Sequence, residues 1–151
     1  MAVLSSAFDL PPGRLLALDL GKARHGVAVC DETNTLVTPL AVVLRHDTRA
    51  ADFAEMQALV NRERVMGVLV GLPVQESGQA EGQARWVLRY GRRLAGTLTV
   101  PVAFWDESLS SHDAAVLVRS RGRESLDAVA AALILQDFLE ARRVHPNSEH
   151  S

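Results

Sequence analysis

Three β-rich segments near the start of the chain are joined by links so short that the segments can pair only antiparallel. Residues 14–20 (RLLALDL) form an apolar run that reads as a buried strand. Gly21 and Gly26 bracket a tight turn, and residues 26–30 (GVAVC) read as a second strand. Asp31, Glu32, Thr33 and Asn34 are turn formers. Residues 35–44 hold a third β-rich segment, interrupted by Pro39. A parallel crossover needs about a dozen residues or more, and none of these links supplies them.

The pattern then changes. Residues 48–64 carry Phe53, Met56, Leu59 and Val60 at helical spacing. Residues 65–72 (VMGVLVGL) are a continuous apolar strand. Residues 78–96 read as a helix with Trp86, Val87, Tyr90 and Leu94 on one side, and residues 100–105 as a further strand. Residues 110–120 and 126–141 read as helices. Strand alternating with helix implies right-handed parallel crossovers. The expected fold is α/β: a mixed five-stranded sheet, its first three strands antiparallel and the rest in parallel β-α-β units, flanked by helices. At 151 residues this is one domain. Residues 1–13 are an irregular lead-in, 14–141 the folded domain, and 142–151 a polar, flexible tail containing Pro146.

Composition excludes several classes. No apolar run approaches the roughly 20 residues that span a membrane. No basic stretch precedes an apolar one at the N-terminus, so no secretory signal is expected. The single cysteine, Cys30, rules out an intrachain disulfide and suits a reducing compartment, so a cytoplasmic location is expected. Within its strand Cys30 reads as a small buried hydrophobe. A net charge of −2 does not mark a nucleic-acid binder. Lys22 is the only lysine against 15 arginines, a bias that a GC-rich genome also produces, so the arginines carry weight only where they cluster.

The acids fall in less ordinary places. Asp19 is the only polar residue between Leu15 and Leu20, and an ionised carboxylate in such a run is costly unless paired or bound to metal. Asp106 and Glu107 close the strand VAFW. Asp127 opens the last helix in the apolar run LDAVAAALIL. Sites in α/β sheets gather beyond the carboxyl ends of the parallel strands. Asp19 and the Asp106–Glu107 pair both stand there, and a packed helix brings Asp127 to the same crevice. Converging carboxylates suit hard cations such as Mg²⁺ or Mn²⁺. Two ions about 3.5–4 Å apart are one solution for phosphodiester cleavage. Asp127 also fits a plain role at a helix N-terminus, and one of Asp106 and Glu107 a capping or solvent-facing role.

The blocks LALDLGKARHGVAV, VGLPVQESG, WDESLSSHDA and LDAVAAALILQDFL, in this order, resemble the YqgF/RuvX family of Holliday junction resolvases and pre-16S rRNA nucleases, over about residues 14–141. The resemblance implies an RNase H-like fold. It also implies hydrolysis of a phosphodiester with divalent metal, leaving a 5′-phosphate and a 3′-hydroxyl. The expected substrates are the 5′ end of pre-16S ribosomal RNA or branched DNA. It assigns catalysis to Asp19, Glu107 and Asp127, with Asp106 as a further metal ligand, and matches Gly21, Gly26, Gly71, Leu72 and Pro73 to family positions around the site. Ser110, in the same block as Glu107, is a substrate-binding candidate. The chain departs from the family at Ser108 (an arginine there), Ser111 (a threonine), His25 (an isoleucine) and Ser77 (an acid). A lysine usual before the last acid is missing, with Arg121 and Arg123 as its substitutes. The metal ligands are kept, while substrate choice is open.

Candidate phosphate contacts are Lys22 and Arg24 beside Asp19, and Arg119, Arg121 and Arg123 in the loop before Asp127. A stripe of Arg85, Arg89, Arg92 and Arg93 at i, i+4, i+7 and i+8 is either a backbone track or a solvated face opposite Trp86 and Tyr90. His25, His46 and His112 lack metal spacing and read as structural or surface residues. Two rival functions share features with this pattern. An actin-like ATPase needs two such domains, and no P-loop is present. A non-catalytic ribosome- or nucleic-acid-binding factor on the same fold is the alternative to a nuclease. A resolvase would require a homodimer with two sites; an RNA processor would not.

Overall fold

The computed structural model describes residues 3–73, 78–106, 116–119, 122 and 124–144. The elements are β1 (Leu15–Asp19), β2 (Arg24–Cys30), β3 (Leu36–Leu44), α1 (Arg49–Glu63), β4 (Gly67–Leu72), α2 (Gly78–Ala95), β5 (Val102–Asp106), β6 (Leu117–Val118) and α3 (Leu126–Arg143). The strand order is β5-β4-β1-β2-β3-β6. The β1–β2 and β2–β3 pairs are antiparallel, as the short links require, and β1–β4, β4–β5 and β3–β6 are parallel.

The sheet therefore has six strands where the sequence predicts five. Residues 117 and 118, expected inside a helix over 110–120, lie against β3 in the register Leu36–Leu117 and Val37–Val118. The Leu117 N–H donates to Thr35 at 2.9 Å and the Arg119 N–H to Val37 at 2.7 Å. The physical reason is the edge of β3, whose backbone groups would otherwise lack partners. The remainder of that expected helix, residues 110–115 and 120, lies outside the described residues. β3 runs through Pro39 without a break, because the register shifts between Val27 and Ala28 opposite it, and a bulge tolerates a missing N–H.

Strand alternation sorts the side chains into two cores. Leu16, Leu18, Val68, Val70 and Val102 pack under Phe53, Met56 and Leu59 of α1 and Val87, Tyr90 and Leu94 of α2. Leu15, Ala17, Leu69 and Ala103 pack under Ala131, Leu135, Phe138 and Leu139 of α3. With both faces covered, β1 and β4 read as unbroken apolar runs. The lead-in contributes to both cores, Val3 to the first and Ala7, Phe8 and Leu10 to the second. Val3 bridges to Val102, and the ring of Phe8 meets Trp105 edge-on at 5.7 Å. α3 continues two residues past the expected boundary, and Arg142 Nη1 donates to the Leu10 carbonyl at 2.9 Å. Among the described residues no helix is long and apolar enough to cross a membrane.

Phe138 is fully buried and touches both Phe8 and Trp105. Phe138→Ala is expected to cost about 3–5 kcal/mol of stability, read from urea unfolding. A loss below about 1 kcal/mol would mean that the α3-side core is not packed as described.

Candidate active site

β1 ends on Asp19, and the pleat decides where that side chain goes. Leu16 and Leu18 lie under α1 and α2, so Ala17 and Asp19 face α3. Asp19 pairs across the ribbon with Gly26 of β2. A Cβ built on Gly26 would stand 1.9 Å from the carbonyl oxygen of Asp127. The first turn of α3 thus rests directly on the β2 backbone, beside Asp19, at an approach only glycine permits. A Cβ on Gly21 would meet the Arg24 carbonyl at 2.4 Å, so the β1–β2 turn likewise excludes a side chain.

Ser125 caps α3, its hydroxyl accepting from the Asp127 N–H at 3.0 Å. Asp127 sits at the positive end of the helix, and Arg24 Nε donates to its Oδ2 at 2.6 Å. Asp19 is half-buried. Burial pushes its carboxyl above the usual range, and the charge of Asp127 pushes it further. Two oxygen donors that repel one another in a partly desolvated corner suit a hard divalent cation, which relieves that repulsion. Among the described residues no three His, Cys, Asp or Glu side chains gather into a metal site. Glu107, the third expected acid, lies outside the described residues, as do Ser108, Ser110, Ser111, His112, Arg121 and Arg123.

Other expected residues are placed unevenly. Asp106 is exposed at the end of β5, aligned with Leu72 of β4. Its parity is that of Val102 and Phe104, which pack on the α1/α2 side, whereas Trp105 donates to Asp137 of α3. Alternation therefore turns Asp106 away from the face that carries Asp19. Lys22 and Arg24 are exposed in and just after the turn beside Asp19. Arg119 is bonded to Val37, which aligns with Cys30, at the opposite end of the ribbon from the Asp19–Gly26 pair. Three strand spacings and several residues of rise put its backbone about 20 Å from Asp19, so it is not beside the acids. Arg85 and Arg89 are exposed on α2, over the other face. Cys30 is buried, and burial pushes its thiol up, which keeps it protonated.

A second polar cluster was not foreseen. His25 is fully buried on the α1/α2 side. Its Nδ1 accepts from the Gly21 N–H at 3.2 Å, so Nε2 carries the proton and faces Asp52 Oδ2 at 3.1 Å. The Tyr90 hydroxyl also donates to Asp52, and the His46 N–H donates to its Oδ1 at 3.2 Å. Burial alone would raise the Asp52 carboxyl, but these bonds outweigh it and hold the carboxyl below its ordinary value. Burial pushes His25 down, toward the neutral ring. The cluster pins the turn that follows Asp19 to α1 and α2. Its one trace in the sequence is a histidine where the family carries isoleucine.

This architecture, a mixed sheet covered by helices on both faces, is an RNase H-like fold. The solved structure of T. thermophilus RuvC in complex with Holliday junction substrate superposes with a TM-score of 0.58 at 17% identity, over 87% of this chain and 96% of that one. The profile of RuvX, described as Holliday junction resolvase, matches residues 13–141, and the chain belongs to this family. It is 38% identical over 142 residues to a protein of Chloroflexus aurantiacus, covering 90% of this chain and 92% of the relative. It is 40% identical over 135 residues to one of Anaeromyxobacter sp., covering 85% and 98%. Both relatives bear the name "Putative pre-16S rRNA nuclease". Nuclease chemistry is the class to which family and relatives assign the chain.

Gly26→Ala is expected to push α3 off β2 and cost about 1–3 kcal/mol, whereas Gly82→Ala, with open space around it, leaves thermal stability equal or higher. Equal melting of Gly26→Ala and wild type would contradict the close approach. A second expectation follows from Asp19. Its pKa is raised in the fold, so the folded state binds the proton more tightly than the unfolded chain. Ionised Asp19 then costs stability above the raised pKa, and the cost vanishes below the ordinary carboxylate range. In chelator, Asp19→Asn should melt above wild type at neutral pH and lose that advantage on acidification. Mn²⁺ should raise the wild-type midpoint and leave the variant unmoved.

Proposed function

We propose that the chain is a divalent-metal-dependent nuclease that hydrolyses phosphodiester bonds of nucleic acid, with Asp19, Asp127 and Glu107 as its metal-holding acids. The observation that carries this reading is the pairing of Asp19 and Asp127 across Gly26, where burial and mutual charge raise the Asp19 carboxyl. Glu107 is taken as the third acid because it matches the acid of the family block that WDESLSSHDA resembles. When bound, Mg²⁺ or Mn²⁺, as one ion or two, supplies Lewis acidity toward phosphate oxygens and acidifies water.

The chain's own residues do the rest. Asp19 and Asp127 offer charged oxygens from a strand end and a capped helix, both rigid elements. Arg24 orients Asp127 and can turn its remaining N–H groups to a phosphate. Lys22, exposed in the adjoining turn, adds a point charge for the backbone. The names of the relatives favour the precursor of 16S ribosomal RNA as substrate, and a single cysteine suits work in the reducing cytoplasm. The family description and the RuvC complex favour branched DNA, which would demand a two-fold dimer.

The test is a cleavage panel of single-stranded RNA, duplex and four-way junction with Mg²⁺, Mn²⁺ or chelator. Wild type should cut with metal only. Asp19→Asn should fold with an unchanged circular dichroism spectrum and fall to background. Undiminished cleavage by that variant sinks the site. A wild type that cuts none of these substrates with either metal leaves a binding factor on the same fold.

A further inference from the structure

Where α2 crosses the start of α1, a cavity of about 300 Å³ is lined by Arg45, Arg49, Trp86, Arg89, Tyr90 and Arg93. Four of the six lining side chains are guanidinium groups and none is an acid. The carboxylate beneath them, Asp52, is taken up by Tyr90, His25 and the His46 backbone. Arg45 Nε stands 3.8 Å from Asp52, is buried, and has no hydrogen-bond partner. Among the described residues Arg49, Arg89 and Arg93 make no ion pair.

The local physics disfavours this arrangement in an empty protein. Arg89 and Arg93 are like charges at i and i+4 on one helix. Arg49 is the first residue of α1, where the helix dipole opposes a cation. A single anion seated among them offsets all three. The aromatic groups narrow the choice of anion. Trp86 is only half-buried, and the Arg45 guanidinium lies 5.4 Å from the centroids of both Trp86 and Tyr90. Arginines beside an accessible indole are the pieces that bind an unpaired nucleotide, phosphate to guanidinium and base to ring.

The cavity lies on the α1/α2 face, opposite Asp19, and one of its walls is tied to the turn that follows Asp19. Arg45 Nη1 donates to the Lys22 carbonyl at 3.2 Å and the Arg45 N–H to Ala23 at 3.0 Å, in the turn that follows Asp19. Alternation along β2 sends Arg24 to Asp127 and His25 to the cluster beneath the cavity.

We propose that this cavity is a subsite for an unpaired nucleotide of the substrate strand, in which Arg49, Arg89 and Arg93 hold a phosphate and Trp86 stacks the base. Its ligand class rests on the nuclease reading, and the subsite gives the enzyme a preference for strands with a single-stranded segment next to the cut.

The experiment is a titration in chelator, where no cleavage occurs, followed by tryptophan fluorescence. The probes are a short single-stranded RNA, the same sequence as a duplex, a nucleoside monophosphate and inorganic phosphate. The single strand should quench the emission, and Trp86→Phe should abolish the signal. Arg89→Ala combined with Arg93→Ala should weaken binding by about tenfold or more, as expected for loss of two charge-assisted contacts. Arg62→Ala, on the same protein but away from the cavity, should change nothing. Circular dichroism and melting check that the double variant is folded.

Unchanged affinity in the folded double variant overturns the subsite. Duplex bound as tightly as single strand, with the same arginine dependence, overturns the claim of an unpaired nucleotide. Monophosphate bound as tightly as the strand makes the ligand a free nucleotide and overturns the role in substrate choice. Asp19→Asn should bind as wild type does. Arginine-dependent quenching in a protein that cuts nothing with either metal would defeat the nuclease reading while leaving the binding site.

Discussion

The site depends on one missing side chain. Gly26 lets the carbonyl of Asp127 approach the β2 backbone to a distance where any Cβ would overlap it. That approach seats the whole of α3 on its face of the sheet, burying Ala131, Leu135, Phe138 and Leu139. It also brings a helix N-terminus, with its partial positive charge and its acid, to the strand that pairs with Asp19. Packing and chemistry are thereby coupled: the contact that closes the second core is also the one that sets two carboxylates against each other.

The opposite face is built on a different compromise. Asp52 is a buried carboxylate, and leaving such a charge unpartnered costs roughly several kcal/mol. Donors from two elements and a link answer it: Tyr90 from α2, His25 from β2 and the backbone of His46 between β3 and α1. Because His25 must accept from Gly21 on its other nitrogen, its tautomer is set, and burial keeps it neutral. The same bonds that satisfy Asp52 hold the turn after Asp19 in place. The arginines above Asp52 are left with that carboxylate's charge already shared out, which gives the cavity its cationic lining.

Parity along the strands explains why neighbouring residues take part in different events. Arg24 and His25 are consecutive, yet one reaches Asp127 and the other Asp52, on opposite faces. Asp106 shares the parity of Phe104, which packs against Gly91 of α2, and not that of the face Asp19 shares with α3. An acid at the end of another parallel strand is no guide to convergence until its face is known.

The antiparallel order of β1, β2 and β3 follows from link length alone, because a short connection leaves no other geometry. The placing of Asp19 at a strand end and of Asp127 in a first helical turn was also legible, since both stand out against apolar runs. Residues 116–118 were not: a two-residue strand has no period, and only the open edge of β3 determines that Leu117 and Val118 pair there. Pro39 breaks a strand in sequence and not in space, because β3 itself bulges beside it, with Leu40 left unpaired opposite Val27 and Ala28. Arg119 looked close to Asp127 along the chain, but the sheet carries it three strands from β1. Sequence alone determined which residues are costly to bury and which links are short, since those are local properties. The tertiary structure decided which costly residues meet, because faces, edges and the approach at Gly26 exist only once the sheet and helices are packed.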